Sequence, residues 1–333
     1  MDKLRRPIAL YAAALLALPL CLRFPYHFAF ITLALGGVMH TVSEANYWLV
    51  EERILIRRKV YPPLIFIGAL LLTAVPFLLL WTDFREKGHG IIYGRVFFLA
   101  IFAYILISSA RNAFRSRAAG VALLLFCGLG AALALLHPLA AAFALVHGHN
   151  LVPWVFLARK AERKIPVLAH CLALSVVLPG AGAMLYYGAG LSISPLALSE
   201  QLETDLFRHS LGHALAFEPE LLVLSLFGYF QFMHYLLWIF VVPNRSFREI
   251  WREPARFIPE LLMFAGFSRR LRAWYVLIPA GAMLISLGLF IFYPIQWRKI
   301  YFAVIAFHVM IELPLLFLFQ KDEKAPTSHE ARA

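Results

Sequence analysis

Apolar stretches of about 20 residues recur from one end of the chain to the other, separated by short segments rich in Lys and Arg. Because a helix rises about 1.5 Å per residue, each stretch can cross a hydrocarbon core roughly 30 Å thick. The pattern predicts ten membrane-spanning helices, at about 7–24, 26–50, 61–81, 91–110, 118–136, 138–158, 165–188, 219–243, 274–293 and 297–319. The expected fold class is all-α: a polytopic transmembrane helical bundle forming one domain over 1–320, with a disordered cytoplasmic tail over 321–333.

The composition agrees with lipid as the solvent of this chain. Of its 333 residues, 62% are hydrophobic and only 15% are charged, and the mean hydropathy is +0.75. One water-soluble core cannot bury so much apolar surface. The net charge of +12 lies mainly in short loops, where cations are typical topology signals and headgroup contacts, so membrane lipids rather than nucleic acid are the expected partners.

Charge bias between the loops predicts the orientation, because short cytoplasmic loops are rich in Lys and Arg. With the N-terminus inside, the cytoplasmic loops are all basic: 51–59, 111–117, 159–164 and 244–273. Only the outer turn at Pro294, with Arg298 and Lys299 after it, runs against the rule. Ten spans then place both termini in the cytoplasm, and we expect a bacterial-type inner (plasma) membrane.

Ionisable side chains inside the predicted spans are few, and each is a functional candidate because its burial in lipid is unfavourable. With their polar neighbours they are His40 and Glu44 in span two, His147, His149 and Asn150 in span six, Gln231, His234 and Tyr235 in span eight, and His308 and Glu312 in span ten. Each histidine lies within about one turn of the centre of its span, and these spans run in the same direction. The sequence therefore predicts a layer of imidazoles near the bilayer midplane.

Two of these spans carry a His-x-x-x-Glu pair, whose i, i+4 spacing places both side chains on one helix face. Imidazoles with carboxylates suit non-haem iron, or less well another divalent metal, and leave positions open for O₂ or substrate. The predicted metal ligands are His40, Glu44, His147, His149, His234, His308 and Glu312. Glu44 and Glu312 are either ligands or groups that orient imidazoles and take up protons. They form the predicted catalytic set with Tyr235, and Asn46, Tyr47 and Gln231 are further candidates for orienting the ligands.

His147 and His149 point to opposite sides of a regular helix, so both reach one centre only if the helix is distorted. Pro153 can supply the distortion, because its ring clashes with the carbonyl of residue 149 and removes a hydrogen bond there. In a regular helix His147 is the preferred ligand, since it shares a face with Asn150 and Trp154.

The His-x-x-x-acid pairs on an early and a late span, with further histidines between them, resemble the Brp/Blh-type integral-membrane β-carotene dioxygenases. That resemblance implies a multi-helix bundle that holds iron through histidines and cleaves a polyene with O₂ to give retinal. His40–Glu44 and His308–Glu312 would match the family's His-x-x-x-Asp pairs. Both acids are Glu here, and the first histidine stands in Val-Met-His-Thr rather than Pro-His-Gly. The resemblance favours a membrane non-haem metal oxygenase more than it favours retinal as the product.

The expected function is therefore an iron-dependent, integral-membrane oxygenase that acts on a lipophilic substrate with O₂, with carotenoid-like cleavage as one form. The alternative is a proton- or ion-coupled transporter, in which Glu44 and Glu312 titrate and the histidines relay protons. Halving the chain pairs span two with span seven, which has no His-x-x-x-Glu, and this argues against an inverted-repeat transporter. A haem-binding cytochrome is a third possibility, because haem also takes intramembrane histidines.

Overall fold

A computed structural model describes residues 2–46, 67–74, 90–114, 116–161, 164–188, 220–242, 281, 284–289, 291–293, 297, 300 and 307–316. All regular structure within these ranges is helical, and they contain no strand. The helices are α1 (Asp2–Arg23), α2 (Pro25–Ile31), α3 (Gly37–Asn46), α4 (Gly90–Ala113), α5 (Arg117–Leu136), α6 (Pro138–Gly148), α7 (Val152–Lys160), α8 (Lys164–Leu172), α9 (Leu178–Gly188), α10 (Glu220–Leu236) and α11 (Phe307–Leu316), with shorter helical stretches such as 67–74.

Five helical segments of the described chain are long and apolar enough to cross a membrane: Ile92–Ala110, Arg117–Leu136, Pro138–Ala158, Ile165–Tyr186 and Leu221–Val241. Large apolar side chains cover their outer surfaces, as at Ile107, Leu136 and Ile165, which are 73%, 80% and 81% exposed. Soluble proteins rarely expose so much contiguous apolar surface. The predicted all-helical fold is confirmed, and these features indicate a membrane protein.

The number of spans and the side on which the termini lie remain predictions. Most of the predicted span 61–81 and half of the predicted span 274–293 lie outside the described residues, as does the whole predicted tail 321–333. The described parts of the first and last predicted spans include apolar helices, Ile8–Arg23 and Phe307–Leu316, that are shorter than a full crossing.

The segment Leu221–Val241 is the centre of the bundle. In its most apolar part, 72% of the residues are buried, compared with 17–39% in the other four crossing segments. It packs against α1, α2 and α3, and Gly228 allows a close approach, since a Cβ there would lie 3.3 Å from Phe28 and 3.6 Å from the Ala29 backbone. The central helix also carries His234, so one of the predicted ligands is placed where neighbouring helices meet.

In the described part of the chain, three stretches are π-helical turns, in which each N–H bonds to the carbonyl five residues earlier: Thr32–Gly36, Ala173–Val177 and Leu237–Val241. In this register the carbonyl of Leu174 would need the N–H of Pro179, and that of Trp238 would need the N–H of Pro243. Proline has no N–H, so both carbonyls need another donor.

Hydroxyl groups from other helices supply those donors. The Tyr229 hydroxyl donates to the Leu174 carbonyl at 2.8 Å, and Ser43 Oγ donates to the Trp238 carbonyl at 3.2 Å. The irregular turns therefore also fasten helices together. The Ser43 bond fixes α3 against the end of the central helix, one residue before Glu44.

Candidate metal centre

Three imidazole nitrogens converge where α3, α10 and α11 meet. His40 Nε2 lies 3.1 Å from His234 Nε2 and also 3.1 Å from His308 Nε2. An imidazole nitrogen carries either one proton or one lone pair, so His40 Nε2 cannot form two linear hydrogen bonds at once. Two nitrogens each bound at about 2.1 Å to one ion, at angles of roughly 90–110°, would be about 3.0–3.4 Å apart. The spacing therefore fits three lone pairs directed at one cation.

The imidazole of His149 lies beside this group as a fourth ring. The ring centroids of His40 are 4.6 Å from His234 and 4.7 Å from His308, and those of His149 are 4.9 Å and 6.1 Å from the same two rings. Imidazoles sharing one ion have centroids roughly 4.6–6.5 Å apart, from right-angle to opposed positions. His40, His149 and His234 are at most 3% exposed, so water is largely excluded from the group.

The Glu44 carboxylate contacts the histidine of another helix more closely than its own i, i+4 partner. Its Oε2 lies 2.6 Å from His308 Nδ1 and 3.7 Å from His40 Nε2. This ion-pair contact joins α3 to α11 beside the imidazole nitrogens. Glu44 is thus placed to orient His308.

Among the described residues, a hydrogen bond holds one oxygen of the Glu312 carboxylate. Its Oε1 accepts a hydrogen bond of 2.8 Å from the Trp238 indole N–H, and both residues are fully buried. Its Oε2 lies 3.6 Å from His308 Nε2 and has no hydrogen-bond partner among the residues that the structure describes. One oxygen is anchored and the other is near the imidazole nitrogens, which is the arrangement of a candidate ligand.

The structure brings His149, and not His147, to this cluster. The helix tightens to a 3₁₀ turn at His149–Leu151, ahead of Pro153, so it is distorted as the sequence allowed. The His147 ring instead stacks on Phe143 at a centroid distance of 4.0 Å and meets Phe227 edge-on at 5.5 Å.

The helix is distorted, yet only His149 of the two histidines reaches the cluster, and the preference for His147, which applied to a regular helix, does not apply to this one. A 3₁₀ turn advances about 120° per residue, so residues two apart still point in different directions. Six of the seven predicted ligands lie together, and these are His40, Glu44, His149, His234, His308 and Glu312.

Tyr235 lies behind His40 rather than among the ligand atoms. Its ring stacks on the His40 ring at 4.9 Å with an angle of 27° between the planes, and its hydroxyl accepts a hydrogen bond from the Gln231 amide. Tyr235 and Gln231 therefore support the orientation of His40. The side chain of Asn46 and all of Tyr47 lie outside the described residues.

Trp238 is a site residue that the sequence pattern did not single out. It follows His234 by four residues and so shares its helix face, which is the signal that could have identified it. Tryptophan is common in apolar spans, and the complete burial of this one and its contact with Glu312 distinguish it from a lipid-facing ring.

Gly36 provides a test of the packing behind His40. A Cβ at this position would lie 2.5 Å from Cδ2 of Tyr235, so we expect Gly36→Ala to displace the Tyr235 ring and to destabilise the protein by about 1–3 kcal/mol. Bound metal should fall as well. Gly128→Ala in α5 is the matched control, because nothing lies within 4 Å of its Cβ position. Equal unfolding midpoints and metal contents for the two variants would contradict this account.

Comparisons with protein-family models, curated proteins and solved structures found no match to this chain. The resemblance to the β-carotene dioxygenases therefore remains a prediction from the residues that carry it.

Proposed function

We propose that the protein is an integral-membrane, non-haem iron oxygenase that acts on a lipophilic substrate. The observation that carries the proposal is the position of His40 Nε2, 3.1 Å from two other imidazole nitrogens, with carboxylate oxygens 3.6–3.7 Å from this nitrogen group. Hydrogen bonding alone does not account for that convergence. A donor set of imidazoles and carboxylates matches iron and related borderline cations better than a soft metal.

The residues of the site divide into holding, orienting and proton-handling roles. His40, His149, His234 and His308 would hold the ion, with Glu312 as a further ligand. Glu44 orients His308, and either carboxylate can hold a proton during turnover. Iron bound here would supply the activation of O₂, and burial of the ring of ligands would keep water away from it.

The surroundings of the site favour a substrate that comes from the bilayer. The site residue His234 lies on a crossing segment that is buried among other apolar helices, so the surroundings of the site are apolar and suit a lipophilic molecule. A carotenoid-like polyene is the substrate class implied by the family resemblance. Ten spans, both termini in the cytoplasm and a bacterial-type inner membrane complete the proposed arrangement.

A proton-coupled transporter is the second candidate. It is favoured by the contact of Glu44 with His308 at 2.6 Å and by Glu312 at 3.6 Å from the same ring, which together form a row of titratable groups. A transporter of this kind has no need for a stoichiometric transition metal.

Metal analysis of the purified full-length protein separates the two. We expect about one iron per chain after expression in iron-supplemented cells, without the Soret absorption of haem, and O₂ uptake when reduced protein is supplied with a lipophilic substrate. The matched control for the iron content is His147→Ala, because His147 lies outside the cluster. Protein that lacks stoichiometric iron, manganese, copper and zinc would refute the metalloenzyme and leave the transporter.

A further inference from the structure

Two carboxamide side chains are buried without the hydrogen bonds that they need. Asn150 is 4% exposed and Gln231 is 2% exposed. Within the described part of the chain, Asn150 Nδ2, Asn150 Oδ1 and Gln231 Oε1 have no hydrogen-bond partner. Each buried polar group left unpaired costs about 1–3 kcal/mol, and folded proteins seldom leave such groups unpaired. No residue in the described part of the chain satisfies these atoms, so a bound molecule is a candidate partner for them.

Both carboxamides border the imidazole cluster. Asn150 follows His149 in the 3₁₀ turn, which packs on the central helix, and the His149 ring lies 4.9 Å from His234. Gln231 lies three residues before His234, on the same face of the helix, and its amide nitrogen bonds to Tyr235. The unpaired atoms thus belong to residues directly beside the proposed metal ligands.

The chemistry of the unpaired atoms selects the kind of group that they bind. Asn150 Nδ2 is a donor, and Asn150 Oδ1 and Gln231 Oε1 are acceptors. A hydroxyl group can use both kinds of partner, and a carbonyl oxygen can use the donor. A hydrocarbon satisfies neither kind. An anionic headgroup is disfavoured, because a buried charge needs a charged partner and the unpaired carboxamide atoms are neutral.

We propose that Asn150 and Gln231 bind a neutral hydroxyl or carbonyl group of the substrate beside the metal. The substrate is then an oxygen-bearing lipid, such as a long-chain alcohol, aldehyde or ketone, or a polyene that carries such a group near the reacting carbon. This inference rests on the proposed function, and it narrows the substrate class from any lipophilic molecule.

Thermal unfolding of the full-length protein in lipid nanodiscs tests the inference without requiring turnover. The probes are 1-hexadecanol and hexadecane at equal mole fraction, which differ only in the hydroxyl group. Because a ligand of the native state raises the unfolding midpoint, we expect the alcohol to raise it by about 3 °C or more relative to the alkane.

Asn150→Leu and Gln231→Met should remove most of that difference between the probes. Asn150→Leu should also raise the midpoint in plain nanodiscs, because it deletes a buried polar group that has no partner. The control is Ser225→Ala, since Ser225 is equally buried but its hydroxyl already donates to the Leu221 carbonyl at 2.7 Å. This control should retain the full alcohol-specific shift.

Three outcomes would overturn the inference. The first is that the alkane raises the midpoint as much as the alcohol does. The second is that neither probe raises the midpoint, which would mean that only water binds the carboxamides. The third is that the alcohol-specific shift persists in both Asn150→Leu and Gln231→Met. Metal content, measured on the same samples, separates this result from the proposed function. Metal without an alcohol-specific shift refutes the substrate class alone, whereas absence of metal refutes the oxygenase whatever the probes do.

Discussion

Replacing His40 with alanine is expected to lower the affinity for iron by about 100-fold or more, so that the purified protein retains little metal. The physical reason is the position of its Nε2, which lies 3.1 Å from the Nε2 atoms of both His234 and His308. Without this nitrogen, His234 and His308 no longer share a neighbouring ligand atom for the ion. Iron per chain, measured after purification and again after titration of metal-depleted protein, gives the result directly.

Alanine variants of the two histidines of the sixth predicted span provide a second test and a control. His149→Ala should also weaken iron binding, because the His149 ring lies within 6.1 Å of both His234 and His308. His147→Ala should leave iron content unchanged, since that ring stacks on Phe143. Loss of iron in His147→Ala together with its retention in His40→Ala would disprove the assignment of the ligands.

Replacing Trp238 with phenylalanine is expected to have the second largest effect. The indole N–H is the hydrogen-bond donor to Glu312 Oε1, at 2.8 Å in a fully buried setting. Phenylalanine keeps most of the ring and removes the donor, so we expect a loss of about 1–3 kcal/mol in the free energy of unfolding. Because the carboxylate also loses its fixed orientation, iron affinity should fall about 10- to 100-fold.

Trp297→Phe is the matched control for the loss of a buried indole donor. Trp297 is 3% exposed, and its indole N–H donates to Ser286 Oγ at 2.9 Å rather than to a residue of the cluster. It should lower stability without changing iron affinity. A double-mutant cycle with Glu312→Met adds a second check, because Trp238→Phe should hardly affect affinity once the carboxylate is gone. Equal losses of affinity in the two tryptophan variants would mean that Trp238 acts only through packing.

The two His-x-x-x-Glu pairs show which contacts the i, i+4 spacing predicts and which it does not. The spacing predicts that each glutamate lies near its own histidine, and Glu44 Oε2 is indeed 3.7 Å from His40 Nε2. Its closer contact is with His308 Nδ1 of the other pair, at 2.6 Å. The spacing is the same in both pairs, so the sequence does not distinguish the two carboxylates. In the structure, Glu44 contacts the His308 ring, whereas one oxygen of Glu312 lies near the imidazole nitrogens. That difference arises between helices, where sequence spacing carries no information.

The π-helical turns illustrate a signal that was present in the sequence but incomplete. Pro179 and Pro243 each deprive a carbonyl of its N–H partner, and this could be anticipated from proline chemistry. That Tyr229 and Ser43 provide the replacement donors could not be anticipated, because these residues come from distant parts of the chain. The turn Leu237–Val241 begins directly after α10, which carries His234. The hydrogen bond from Ser43 to the Trp238 carbonyl in this turn therefore helps to fix the site.

The sequence by itself determined the helical class, the apolar segments suited to a membrane, and the set of polar residues near the middle of those segments. These properties depend on composition and on position along the chain, which the order of residues specifies. Only the tertiary structure decided which of those residues meet, and it selected His149 over His147 and added Trp238. The direction in which a side chain points around its helix depends on how that helix is rotated and tightened by its neighbours, and this is set by packing across the whole bundle.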